Sequence, residues 1–453
     1  MATTSQKTDH LEKLRPLGAL EQFSSARHHL GFYYNVGISA SYSRTTNDSV
    51  PLKDVVFKAV SAIIQKHPVL SAIPVNEDSA NPYFVRLPFI DLEEAVTFLT
   101  RQSPTISGEG DIELDRILEG QHNKGFKGDF GKLPFWRLII VTEPEEENHF
   151  IACFIFHHSL GDGTSGLVFH KDLLSALQNR ASATLASSIV YSPRTDLLPN
   201  LELLHRLSIP AAKPKHIPTN LWSGEKVTMP TSSHFCSLFL SQSTTQNLVH
   251  ACKANSTTVT ATIPVIVATA LMSNLSTNFQ AVECTVPVSL RRWMPAPVTE
   301  NSFGVWIDAF SQYYQRENTS EFSWNEARRS KETTDEYLKT GGESINVAKF
   351  KNIKDMKGFF LSRVGNGRGT SFDVSNLGGM KVKESDERQW KMGRVLFSRS
   401  AFVSGSAIAV GVVSGADGCL SLGFSWQEGI VHDALIGKAI RGVQKEIESI
   451  AGN

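Results

Sequence analysis

Residues 150–156, Phe-Ile-Ala-Cys-Phe-Ile-Phe, are all apolar, the pattern of a short strand covered on both faces. Polar residues at 145–148 mark where that strand begins, and it ends abruptly at His157-His158-Ser159-Leu160-Gly161-Asp162-Gly163. Thr164-Ser165-Gly166 and then Leu173, Leu174 and Leu177 at helical spacing predict a helix with a hydroxyl cap. The motif therefore occupies a strand-to-helix turn. Earlier, residues 33–42 alternate around Val36, Ile38 and Ala40 as a strand, and 138–142 continue an apolar run from Phe135 as another. Val55, Val56, Val60 and Ile63 give 52–64 the stripe of an amphipathic helix that stops before His67-Pro68.

The interval 182–230 has little periodicity and holds Pro193, Pro199, Pro210, Pro214, Pro218 and Pro230, which reads as a crossing between lobes. Alternation then resumes. Strands are expected at 234–240 and 282–290, the second followed by Arg291-Arg292-Trp293, and helices at 244–253 and 259–273, the latter capped by Ser256 or Thr257. Residues 371–374, 395–402, 407–414 and 420–427 are β-like, and 433–450 form a closing amphipathic helix whose polar face carries both charge signs, as expected for core packing. The expectation is an α/β fold of two comparable lobes, residues 1–182 and 231–453, joined by a Pro-rich crossover at 183–230.

With 45 basic and 45 acidic residues in 453, the chain has no electrostatic footprint for nucleic acid, and no basic cluster suits an anionic membrane. Residues 1–14 are polar and no apolar run is long enough to span a bilayer, so no transmembrane segment is expected. Five cysteines, scattered without paired spacing, read as reduced buried thiols and point to the cytoplasm. The Asn-x-Ser/Thr sequons at Asn47, Asn255, Asn274 and Asn318 carry no weight without a secretory signal.

Histidine at the end of a buried strand is placed for proton transfer, because its neutral ring is available near pH 7 and strand ends carry side chains into clefts. Either ring of the pair fits that role. Asp162 is near enough in a tight turn to brace a ring or the turn, and Gly163 lets the chain reverse without a Cβ clash. The competing readings are hydrogen-bonded core histidines, or a metal held by His157, His158 and Asp162; adjacent strand residues point to opposite faces, so no metal is expected. Gly365-Asn366-Gly367-Arg368-Gly369 lacks the following helix of a dinucleotide site and reads as a loop. His28-His29 beside Arg27 suits aromatic-rich packing, Trp306 a lobe core or a pocket wall, and Ser375-Asn376-Leu377-Gly378 a turn after a strand.

His157-His158-Ser159-Leu160-Gly161-Asp162-Gly163 resembles the His-His-x-x-x-Asp-Gly signature of the CoA-dependent acyltransferase superfamily. Arg15-Pro16-Leu17-Gly18 with Glu21, the stretch Arg27-His28-His29-Leu30-Gly31-Phe32-Tyr33, Val286-Pro287-Val288-Ser289-Leu290-Arg291 and Asp373-Val374-Ser375-Asn376-Leu377-Gly378 are similar to the fungal alcohol O-acetyltransferase branch. The Asp-Phe-Gly-Trp-Gly of plant members is absent from the sequence. The resemblance, which covers 14–428, implies two chloramphenicol acetyltransferase-like lobes, each a mixed β-sheet with flanking helices, and a tunnel between them. It implies His158 as catalytic base, His157 as its structural neighbour, and Asp162 as a structural brace paired with Arg291. Ser375 and Asn376 become candidate oxyanion donors, and Arg363 or Arg368 candidate holders of CoA phosphates. The expected reaction moves an acyl group, acetyl above all, from an acyl-CoA co-substrate to the hydroxyl of a small alcohol or secondary metabolite. No permanently bound cofactor is expected, and the chain is expected to act as a monomer. The alternatives are a carrier-protein thioester as donor or an amine as acceptor, as in condensation domains, and a non-catalytic binding protein that has kept the tunnel.

Overall fold

A computed structural model describes residues 8–44, 50–103, 110–144, 146–179, 187–211, 218–382 and 389–452. Glu145, Asn47, Pro214, residues 1–7 and the expected lobe boundary at 182–183 lie outside the described residues. Two mixed sheets organise the chain. In the first, Trp390–Arg399, Val36–Arg44, Glu146–Phe156 and Trp136–Glu143 pair antiparallel in that order, and Val96–Thr100 adds a parallel edge.

Side-chain alternation divides the motif strand, Glu146–Phe156, between two layers. Phe154 stacks on Phe169 of the following helix, Gly163–Gln178, with ring centroids 3.8 Å apart, while Ile155 lies on the opposite face with His122 of the helix Ile112–His122. Helices thus cover both faces, which is why the run carries no polar positions. The helix Leu52–Lys66 packs beside Gly163–Gln178 and buries Val56, Val60, Ile63 and Ile64.

The second sheet has the order Leu221–Trp222, Ala281–Ser289, Phe372–Gly379, Ile408–Ser414, Leu420–Gln427, Ser233–Phe239, with Ile307–Gln315 also paired to Ala281–Ser289. The helices Val259–Met272 and Asp433–Gly452 pack together, and both join this lobe's apolar core. Val259–Met272 is capped by Thr258, one residue beyond the expected caps, with its hydroxyl accepting from the Ala261 amide at 3.2 Å; Ser256 takes a left-handed backbone at φ 58°. Among the described residues no single helix is long and apolar enough to cross a membrane; the one bent pair that passes by length and composition, Gln242–Ala254 with Val259–Met272, turns through 100°. All five cysteines are unpaired, four of them buried.

The linear division of the lobes needs correction at 390–399, which belong to the first sheet although they come from the C-terminal half. This crossing strand lies directly on the second sheet. A Cβ built on Gly411 would stand 2.7 Å from the carbonyl oxygen of Phe397, and one on Gly423 closer still, so only glycine admits the contact. The crossover is also partly structured, since Ile189–Tyr191 pairs with Phe89–Asp91 and Leu221–Trp222 joins the second sheet.

Candidate active site

The motif strand ends at Phe156, and the His157 amide still reaches the Phe135 carbonyl at 2.9 Å. The next helix is capped by Asp162, not by a hydroxyl: Asp162 Oδ1 accepts from the Ser165 amide at 3.1 Å, and Ser165 Oγ accepts from the Asp162 amide at 3.3 Å. The other carboxylate oxygen receives Arg291 Nη1 at 2.7 Å and the Trp306 amide at 3.2 Å. Arg291 continues to the carbonyls of Ser302 and Gly304 and to Ser165 Oγ, and stacks 5.1 Å from the Trp306 ring. Trp306 is buried in the small cluster around Leu290 and Ile345. Asp162 therefore ties the motif turn to the segment after Ala281–Ser289 of the other lobe, in a pair with no solvent and with most donors matched. Gly163 has no positive φ; its small size matters because a Cβ there would lie 2.7 Å from Leu377 of the strand Phe372–Gly379.

His157 points into a sealed polar cluster. Its Nδ1 accepts from the Ser159 amide at 3.0 Å, which places the ring proton on Nε2, 4.0 Å from Glu77 Oε1. His28 mirrors it: Nε2 accepts from the Phe126 amide at 3.0 Å, so the proton sits on Nδ1, 3.5 Å from the same oxygen. Ser25 Oγ donates to Glu77 at 2.8 Å and Lys127 Nζ lies at 3.0 Å. Burial alone would raise the Glu77 pKa, but the His28 ring N–H and the Lys127 charge hold it down to about 2. His28, Glu77 and His157 bring three ligand atoms close enough for a metal ion. A metal would need both ring protons moved onto nitrogens that already face backbone N–H groups, so the donor set suits hydrogen bonding, not coordination.

His158 faces different company. Its ring lies 5.9 Å from that of Tyr33, which stacks on Phe402 at 4.7 Å. The side chain is deep among protein atoms yet keeps some accessible surface. Burial first, and then the Arg27 charge, lower its pKa to about 4, so the ring is neutral at physiological pH. Nδ1 is sealed from solvent, and a hydrogen bond from the ring to its own backbone opposes part of the lowering. Burial also raises the Tyr33 pKa to about 12.

Period-two alternation separates the other expected residues. Asp373, Ser375 and Leu377 share one face of Phe372–Gly379; Asp373 pairs with Arg399 of the crossing strand, and Leu377 packs at Gly163. Asn376 lies on the opposite face, where Nδ2 donates to Thr260 Oγ1 at 3.0 Å and Oδ1 accepts from the Gly378 amide at 2.8 Å. The expected turn is thus strand through Gly379, and of the two candidate donors only Ser375 shares the Asp373 face. Arg368 is buried, with hydrogen bonds to the Phe402, Gly405 and Glu225 carbonyls and to Gln427, so its guanidinium is already used. Arg363 is exposed and rests on Phe359 at 4.4 Å. Sequence reasoning missed Glu77 and Arg399, and quoted Tyr33 and Asp373 in family-like segments without giving them a role; all four come from segments far from the motif. A cavity of about 420 Å³ lies elsewhere, at the far end of the motif strand near His149, Ile151, Arg394 and Phe239, with no residue of the histidine motif in its wall.

The model of the alcohol acetyltransferase family matches residues 122–436. The chain belongs to that family. It is 39% identical over 462 residues to "Probable alcohol acetyltransferase crmB" of Aspergillus fumigatus, covering 95% of this chain and 98% of the relative. "Probable alcohol acetyltransferase FCK4" of Fusarium pseudograminearum is 24% identical, with 98% and 96% covered. Among solved structures, TRI3 trichothecene 15-O-acetyltransferase from Fusarium sporotrichioides superposes with a TM-score of 0.68 at 12% identity, over 96% of this chain and 94% of that one. The first condensation domain of the calcium-dependent antibiotic synthetase gives 0.64 at 12% identity, with 98% of both chains covered. As a member of the alcohol acetyltransferase family the protein is an O-acyltransferase, and its two-lobed α/β fold is the one these enzymes share.

Proposed function

We propose that the protein transfers an acyl group, acetyl in the leading case, from a CoA thioester to the hydroxyl of a small alcohol or secondary metabolite, with His158 as general base. The observation that carries this reading is the asymmetry of the histidine pair: burial keeps both rings neutral, but His157 is sealed within the Glu77 cluster, whereas His158 keeps accessible surface. With Nδ1 sealed, Nε2 is the nitrogen left to face substrate. It takes the hydroxyl proton as the alcohol oxygen bonds to the thioester carbon and the carbonyl electrons move to oxygen. The oxyanion then re-forms the carbonyl, the C–S bond breaks, and the imidazolium returns its proton to the departing sulfur. No covalent enzyme intermediate is required. Ser375, on the face shared with Asp373, is the candidate hydroxyl donor to the oxyanion.

The test mixes purified protein with acetyl-CoA and a panel of alcohols, follows free thiol, and identifies esters by mass spectrometry with His158→Ala as the blank. Loss of about 10²- to 10⁴-fold in turnover is expected of that variant. An equally active His158→Ala, or thiol release without any ester, defeats the proposal.

A further inference from the structure

Three buried polar atoms without a hydrogen-bond partner belong to residues around His158: Tyr33 Oη, Arg27 Nε and Arg399 Nε. Buried polar groups are almost always satisfied in native interiors, so a group of them beside a candidate base calls for a ligand. Arg27 is the most unusual member. Its guanidinium carbon lies 4.5 Å from the Phe23 ring, 4.7 Å from Tyr33 and 5.6 Å from Phe402. Rings take the faces of the guanidinium, and its one side-chain hydrogen bond is a long 3.4 Å contact with Ser24 Oγ. Among the described residues no carboxylate pairs with it, in contrast to Arg15, Arg86, Arg101, Arg291 and Arg399. Burial lowers its pKa only to about 10, so it stays charged at neutral pH.

Two guanidiniums, Arg27 and Arg399, therefore flank Phe402 against the single carboxylate of Asp373. An unpaired cation held this deep is costly, and an anion supplied by a ligand removes the cost. Like His158, Arg27 is deep among protein atoms but keeps some accessible surface. The phosphates of CoA are a poor fit, because the whole pantetheine arm separates them from the thioester that His158 must meet.

We propose that Arg27, with Tyr33 Oη beside it, binds a carboxylate carried by a substrate within a few bonds of the reacting centre. The carboxylate belongs to the acceptor, a hydroxy acid, or to the acyl group of the donor, as in a malonyl thioester. This rests on the reading of His158 as base, and it deepens it: a bound carboxylate cancels the charge that opposes protonation of His158, so the base gains strength when substrate is in place.

Binding is measured by calorimetry on the full chain with two matched pairs of probes, ω-hydroxyhexanoate against hexanediol and malonyl-CoA against acetyl-CoA. The wild type is expected to prefer the charged member of one pair by about tenfold or more. Arg27→Met should abolish that preference and Arg27→Lys keep part of it. Preference within the first pair assigns the carboxylate to the acceptor, and within the second to the donor. No charge preference in either pair, absence of binding included, overturns the proposal, as does an Arg27→Met variant that weakens charged and neutral probes alike. Should Arg27→Met fail to fold, the wild-type comparison and Arg27→Lys decide. Thiol release by the wild type and by His158→Ala with the same probes separates this outcome from the fate of the parent reading: preference with equal turnover in both keeps the subsite and removes His158 as base, while His158-dependent turnover without preference does the reverse.

Discussion

The two buried aspartate–arginine pairs flanking the histidine motif are built to opposite standards. Asp162 and Arg291 are closed: the carboxylate caps a helix, the guanidinium reaches two carbonyls, and both side chains are almost wholly inaccessible. Asp373 and Arg399 are open, with Arg399 Nε unsatisfied and the Asp373 pKa raised by burial despite its partner. The histidines divide by access: His157 is sealed within the Glu77 cluster, and His158, beside Arg27 and Tyr33, keeps accessible surface. Sealed groups that face one another hold a geometry, whereas charges left in excess beside an accessible ring keep capacity for a substrate. The turn places one kind within two residues of the other.

The strongest way to break this contrast is to exchange the phenotypes of its two sides. Asp162→Asn leaves the Arg291 charge buried without its counter-ion and should lower the unfolding free energy by about 3–5 kcal/mol, the usual result of removing one partner from such a pair. Urea titration would measure it. His158→Ala should keep its urea midpoint close to the wild-type value and lose turnover instead. An Asp162→Asn protein of unchanged stability but abolished chemistry would make the aspartate a participant and dissolve the distinction.

Glu77 offers a smaller test on the closed side. Glu77→Gln removes the charge facing Lys127 and turns an amide towards one of the two histidine N–H groups. A loss of about 1–3 kcal/mol in unfolding free energy is expected, the cost of an unmatched buried donor. Turnover should fall far less than in His158→Ala. A Glu77→Gln variant as stable as the wild type would show that the cluster does not depend on the carboxylate.

Much of the closed side was legible in the sequence. Strand, turn and helix follow from 150–177, and the Asp162–Arg291 link was an expectation of the family resemblance, because both residues sit in recognisable local patterns. The cap of the helix was misassigned for a physical reason: Asp, Ser and Thr all cap, and only the structure shows which oxygen reaches the N3 amide. The open side was largely illegible. Tyr33 lies in a stretch read as a strand, Arg27 beside a His-His pair read as packing, and Arg399 on a strand assigned to the wrong lobe. Nothing in chain order announces that 390–399 cross to the first sheet; Gly411 and Gly423, which permit it, look like ordinary strand glycines until the Phe397 backbone is placed on them. Asn376 shows the same limit, since alternation alone turned one of two adjacent candidates away from the Asp373 face.

pH sharpens the comparison with the mildest perturbation. Burial lowers the His158 pKa from 6.5 to about 4, with Arg27 adding to the shift. A base of ordinary pKa would be only about one-tenth neutral at pH 5.5, whereas His158 should still be almost wholly neutral there. The acid limb of kcat/KM is therefore expected near pH 4 to 5; a midpoint at 6.5 would mean that the ring is solvated and that the open side is simply surface. Stability must be followed in parallel by tryptophan fluorescence. His170 at about 4 and His122 at about 3, like His158, bind fewer protons folded than unfolded below 6.5, so their contribution is full above 6.5 and is lost as pH falls through those values. Asp115 runs the other way: burial raises its pKa from 3.8 to about 7, so its contribution is full below 3.8 and is lost as pH rises through 7. Asp373, Glu202 and Glu446, also raised by burial, side with Asp115, while His157 and His29, also lowered by burial, side with the other histidines. The buried histidines set the sign, and unfolding free energy should climb between pH 4 and 6.5. Activity that persists at pH 5.5 while stability already declines would separate the protonation of His158 from the protonation of the fold.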